Sequence, residues 1–123
     1  MVNFGPPETV PETFKGRKFY EHNPQVMLMR TTVEENRELG KMIANKLNKA
    51  KGHTTFIMPK KGVSLYARQG GPFYEPATER AFLEGLKANL SDRIKLIELD
   101  TDINSELFAR TPANELIRYM KIS

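Results

Sequence analysis

Two kinds of apolar pattern alternate along this chain, and their alternation predicts its architecture. Residues 25–29 (Gln-Val-Met-Leu-Met), 54–58 (Thr-Thr-Phe-Ile-Met) and 94–99 (Ile-Lys-Leu-Ile-Glu-Leu) are strand-length runs. Their lack of strict alternation is the pattern of strands covered on both faces, as in a parallel sheet. After the first run, Thr32 with Glu35 three positions on forms a capping box that starts a helix. That helix is expected to reach about Asn48, with Leu39, Met42, Ile43 and Leu47 as its apolar stripe and Gly52 as its stop. Glu34, Glu35 and Glu38 near its start and Lys41, Lys46 and Lys49 near its end complement the macrodipole. Residues 77–90 predict a second helix, with Pro76 at the first helical position and Phe82, Leu83, Leu86 and Leu90 facing inward.

The ends of the chain are less regular. Val2-Asn3-Phe4 predicts a short strand, and Gly5, Pro6, Pro7 and Pro11 then predict that residues 5 to 24 are mostly loop. Asn104 is a candidate cap for a helix through Leu107 and Phe108, and Thr111-Pro112 reads as a fresh start, so the terminal helix is expected to be kinked or split there. Leu116, Ile117 and Met120 form its stripe. Three rounds of strand and helix predict an α/β fold, a small parallel sheet with right-handed helical crossovers.

The connection between the second strand and second helix departs from this economy. Residues 59–76 run Pro-Lys-Lys-Gly-Val-Ser through Gly-Gly-Pro-Phe-Tyr-Glu-Pro, whereas such connections usually take roughly 2–6 residues, and longer ones are binding loops or lids. Gly62, Gly70 and Gly71 permit close backbone approach beside Lys60 and Lys61. The stretch predicts a place for an anion, in a loop more mobile than the elements it joins, with Phe73 and Tyr74 tacking its end to the helix.

Composition narrows the classes. The chain has 123 residues, enough for one domain and one core. It contains no cysteine, which excludes disulfides and thiolate chemistry and fits a reducing cytoplasm. Neither a signal-like start nor an apolar run near ~18 residues is present, so no membrane role is expected. The net charge is +4, but its 19 basic residues are interleaved with 15 acids, the pattern of a solvated surface rather than a nucleic-acid face.

Ligands of open parallel sheets bind outside the carboxyl ends of the strands. Those ends supply Arg30, Thr31 and Thr32, then Lys60, Lys61, Gly62 and Ser64, and finally Asp100, Asp102 and Asn104. With the free N–H groups at a helix start, the first two sets suit a phosphate or carboxylate. Ordinary roles compete: the threonines cap a helix, Arg30 pairs with Glu34 or Asp100, the lysines sit in a solvated turn, and a lone D-x-D marks nothing specific. His22 and His53 are not spaced as a ligand pair, and no metal site is expected. There is no phosphate loop, dinucleotide fingerprint or nucleophile elbow, so a catalytic reading rests only on Asp100, Asp102, Lys60 and Ser64.

Several short motifs, taken in order, carry a resemblance. Met1-Val2-Asn3-Phe4-Gly5, His22-Asn23-Pro24, Met29-Arg30-Thr31-Thr32 with Glu34-Glu35-Asn36, Lys61-Gly62-Val63-Ser64, and Gly71-Pro72-Phe73-Tyr74 with Pro76 resemble the C-terminal part of an uncharacterised family. That family is related to the ATP-binding inhibitory domain of the tomato mosaic virus resistance protein. The resemblance covers essentially the whole chain and implies a Rossmann-like three-layer half-domain, the second half of the second of two α/β domains. It also implies nucleotide binding in some relatives, with ATP contacts expected largely in the first domain. Where the family reads His-Ile-Asn-Asp after the last strand, this chain has Asp102-Ile103-Asn104-Ser105.

Two functions follow as expectations. One is a ligand-binding module for an anion or nucleotide, in which Arg30, the amides near Thr32, and Lys60 or Ser64 share one site. The other is an interaction piece without catalysis, assembling as a homodimer or with an upstream-encoded partner through exposed strand edges at residues 25–29 and 54–58 and uncovered helix faces.

Overall fold

The structure is a computed structural model, and it describes residues 1–122. The chain forms two compact units, Met1–Thr32 and the remainder from Val33.

The first unit is an antiparallel sheet in the order β1-β3-β2, made of β1 (Val2–Phe4), β2 (Phe19–Asn23) and β3 (Val26–Met29). Val2 pairs with Met29 on one side of β3 and Phe19 pairs with Met29 on the other. This corrects the expected parallel sheet. The run at residues 25–29 is neither a parallel strand nor an edge, because β1 and β2 occupy both its sides. A four-residue apolar strand reads alike in either sheet type, and only its partners decide. Most of residues 5–24 is also more ordered than expected. Pro7–Thr9 and Glu12–Phe14 are 3-10 turns that start beside prolines, and Phe19–Asn23 is a strand whose mostly exposed side chains disguised it. Asn23 closes the β2–β3 turn by accepting the Gln25 N–H on Oδ1 at 2.8 Å. Leu28 and Met29 are the buried residues of this sheet, and Phe4 and Phe14 stack obliquely at 5.6 Å.

The second unit contains α1 (Val33–Leu47), β4 (Thr55–Pro59), α2 (Pro76–Asn89), β5 (Lys95–Leu99) and α3 (Glu106–Ile122). Strands β4 and β5 pair in parallel from Thr55–Lys95 to Pro59–Leu99, with α2 as the crossover between them. The chain is therefore a mixed α/β fold with a two-stranded parallel sheet and a separate antiparallel one, among the described residues.

Helices α1 and α2 cross unusually closely. A Cβ added to Gly40 would lie 2.1 Å from the Phe82 carbonyl oxygen, and one added to Gly85 would lie 2.1 Å from that of Arg37. Only hydrogen fits at either position, so the backbones meet directly and the apolar contact falls to Ala44, Ala81 and Leu86, all buried. Leu39 and Met42, expected in the stripe of α1, are 40% and 47% exposed. Beyond the crossing, Asn48 donates to the Asn89 carbonyl and accepts the Ser91 N–H, both at 2.7 Å, tying the two helix ends together.

Helix α3 is continuous through Pro112 rather than split. Its cap is Ser105, whose Oγ accepts the Phe108 N–H at 3.0 Å, and not the expected Asn104. No residue of α3 is buried. Its sequence-predicted stripe faces away from the sheet, leaving Leu116, Ile117 and Met120 60%, 50% and 69% exposed.

Candidate functional site

The candidate site lies in the second unit, where β4 ends at Pro59 and the long loop begins. Past the strands the chain keeps pairing: Lys60 N–H donates to Leu99, Lys61 N–H to Thr101, and Ile103 N–H to Gly62. This extension carries Lys61 beside Asp100, with Nζ and Oδ2 3.5 Å apart. Two sets of strand-end residues proposed from sequence thus meet. Gly62 is required here twice over, since its φ is +143° and a Cβ would come 2.7 Å from Arg68 Cα.

The loop closes on itself. Ala67 N–H donates to Ser64 Oγ at 3.1 Å and Phe73 N–H to the Tyr66 carbonyl at 2.8 Å, so Ser64 shapes a turn. Phe73 is 1% exposed and is one of the largest fully buried side chains, so it belongs to the core instead of merely tacking the loop down. Tyr74, 45% exposed, lines a cavity.

That cavity has a volume of about 250 Å³, with Lys60, Lys61, Gln69, Tyr74 and Glu79 in its wall. A smaller one of about 100 Å³ adjoins it, sharing Lys60, Pro76 and Glu79 and adding Met58, Arg80 and Leu83. Together they reach the lower end of small-molecule sites, roughly 300 Å³. Glu79 is only 8% exposed and Thr78 is fully buried. The Thr78 hydroxyl lies 2.7 Å from the Glu75 carbonyl and 3.0 Å from Glu79 Oε2, sharing its proton between two acceptors at the start of α2.

The lysines are already partly neutralised, but weakly. Lys60 Nζ is 4.0 Å from Glu98, whose carboxylate is held at 2.8 Å by Lys87. Exposed pairs of this kind contribute about 0–1 kcal/mol, little enough for an anionic ligand to displace them.

The remaining sequence candidates divide by unit. Arg30 and Thr31 are buried at the end of β3, where Arg30 N–H donates to the Lys18 carbonyl and its own carbonyl accepts from Arg17. Thr32 immediately precedes α1, where the capping box places it. Adjacent parallel strands were the reason to join these residues to Lys60 and Ser64, and β3 is not such a neighbour. Asp102 accepts the Asn104 N–H at 2.8 Å in a local turn, which accounts for both residues structurally. Glu79 was missed: its place in the first turn of α2 was legible, but its burial in a cavity wall was not.

A second polar cluster anchors α3. Glu115 lies 2.9 Å from Lys95 Nζ, accepts from Thr55 at 3.0 Å and from Arg118 at 3.1 Å. Hydrogen bonding from Arg118 above all, then from Lys95, pulls the Glu115 carboxyl down from 4.5 to about 2. Tyr119 hydrogen-bonds Thr55 and stacks on His53 at 5.0 Å.

These features define an α/β module with a small, charge-lined cavity at the carboxyl end of a parallel strand pair. Residues 1–120 match the C-terminal domain of the uncharacterised protein family UPF0261, and the chain belongs to that family. It is 48% identical over 122 residues to a UPF0261 protein of Clostridium tetani, covering 98% of this chain and 30% of the relative. A UPF0261 protein of Rhizobium meliloti is 47% identical over 111 residues, covering 89% of this chain and 28% of the relative. The tomato ToMV resistance protein Tm-1(GCR237) is 43% identical over 111 residues, covering 89% of this chain and 15% of the relative. The chain thus spans less than a third of the length of these relatives. No described helix is long and apolar enough to cross a membrane.

Proposed function

We propose that this region is a ligand-binding module that receives a small anionic group between Lys60 and Lys61, within a longer protein of its family. The observation that carries the reading is the cavity at the end of β4, with those two lysines in its wall and a structured loop over it. Phosphate is the simplest such group, and ATP is the nucleotide that the family resemblance brings forward. A cytoplasmic setting is part of the same proposal, and a chain without cysteine is compatible with that reducing compartment. The resistance named for the tomato relative belongs to a protein of which this chain spans 15%, and an analogous role here would need the rest of that chain. Calorimetric titration with inorganic phosphate and with ATP tests the reading. Saturable heat that Lys60→Ala with Lys61→Ala abolishes supports it, and no saturable heat for either ligand overturns it.

A second reading is favoured by the exposed stripe of α3 and by β4 and β5, which among the described residues pair only with each other. Two-stranded sheets are marginal alone. On this reading the module assembles, as a homodimer or with the family's remaining chain, and catalyses nothing. Sedimentation at tens of micromolar separates these cases, and a stable monomer with a cooperative melt contradicts both.

A further inference from the structure

We propose that the ligand is an anion that also carries hydroxyl groups, its charged end on Lys60 and a hydroxyl donating to Glu79; this rests on the ligand-binding reading above. Glu79 is common to both adjoining cavities, as is Lys60, so a molecule filling them lies against both residues. A carboxylate is acceptor-only and takes several donors at once, about four in the limit, so a ligand hydroxyl can join Thr78 on it. The sign of the surrounding charge then selects the donor. Lys60, Lys61 and Arg80 in the walls oppose an ammonium group, and Glu79 itself opposes a second anion. A neutral hydroxyl avoids both penalties. Tyr74 and Gln69, which can each donate or accept, extend the same preference around the larger cavity.

Burial gives Glu79 its weight. A carboxylate that is 8% exposed beside a fully buried threonine has its first atoms fixed, so donation to it needs no ordering of a flexible chain. The lysines, by contrast, are exposed and supply attraction with little geometric selection. Discrimination between anions therefore falls to Glu79.

The test compares glycerol 3-phosphate with n-propyl phosphate, equal in charge and chain length and differing in two hydroxyls. In the unaltered protein glycerol 3-phosphate should bind about tenfold more tightly, the effect of one hydrogen bond to a charged group. Glu79→Gln keeps the shape and the Thr78 contact but removes the charge. It should bring the two affinities close together, chiefly by tightening propyl phosphate, whereas Lys60→Ala should weaken both. Equal binding of the two esters by the unaltered protein overturns the role of Glu79 and leaves the anion site standing. So does a preference that keeps its full size in Glu79→Gln. Binding of neither ester removes the anion site itself.

Discussion

The α1–α2 pair and helix α3 belong to one unit yet are held by opposite means. Between α1 and α2 the contact is made by absence of side chain, with Gly40 and Gly85 letting backbones touch and Asn48 bridging the ends. Helix α3 instead rests on a polar cluster around Glu115 and Tyr119 and turns Leu116, Ile117 and Met120 outward. Large apolar stripes therefore do not mark the tightest packing here. On α1 the exposed Leu39 and Met42 repeat what Leu116, Ile117 and Met120 show on α3. On the assembly reading such faces would meet further chain, whereas the small residues Gly40 and Gly85 mark where α1 and α2 already close on each other.

The strongest way to break the contrast is at the crossing. Replacing Gly by Ala inside a helix usually gains about 1 kcal/mol. Gly40→Ala should instead lose roughly 2 kcal/mol, because the obstructing atom at 2.1 Å is a backbone oxygen that cannot step aside. Urea denaturation reads the sign directly, and a stabilised Gly40→Ala would show the helices free to separate.

Asn48→Ala comes next. It leaves the half-buried Ser91 N–H and Asn89 carbonyl without that side chain, a cost of about 1 kcal/mol. The urea midpoint should fall with an unchanged slope.

Acid should act on α3 before it acts on the α1–α2 pair. Because the Glu115 carboxyl is depressed to about 2 in the folded chain against an ordinary 4.5, its contribution is complete above pH 4.5 and lost as pH falls toward 2. The protection of α3 amides, relative to their intrinsic exchange at each pH, should fall across that window while α1 and α2 stay protected, and Glu115→Gln should loosen α3 already at neutral pH. Equal loss of protection everywhere would mean that α3 is not separately anchored.

The smallest effect is expected on the outward face. Leu116→Ser with Met120→Ser should change the stability of the isolated chain by no more than about 0.5 kcal/mol. A larger loss would show that the stripe is covered, by a second copy for instance, and concentration dependence of the midpoint would identify that case.

Element positions in the second unit were legible because each signal was local: Pro76 at the start of α2, Thr32 just before α1 with Glu35 in its first turn, and apolar runs at β4 and β5. Partners were not. Whether residues 26–29 pair in parallel depends on Phe19–Asn23, a strand with the polar residues Glu21, His22 and Asn23 inside it. The loop stood out in the sequence by its length and glycines, and Lys60 and Lys61 at its start line a cavity. Glu79 escaped notice because a glutamate in the first helical turn suits the dipole anyway, so its sequence position predicts exposure as readily as burial.

Amide chemical-shift mapping of the unaltered chain during titration with inorganic phosphate tests the anion site most directly. The account predicts saturable shifts confined to residues 60–62, Gln69, Tyr74 and Glu79, lost together in Lys60→Ala with Lys61→Ala. Saturable shifts centred elsewhere, or none at these amides, would contradict it.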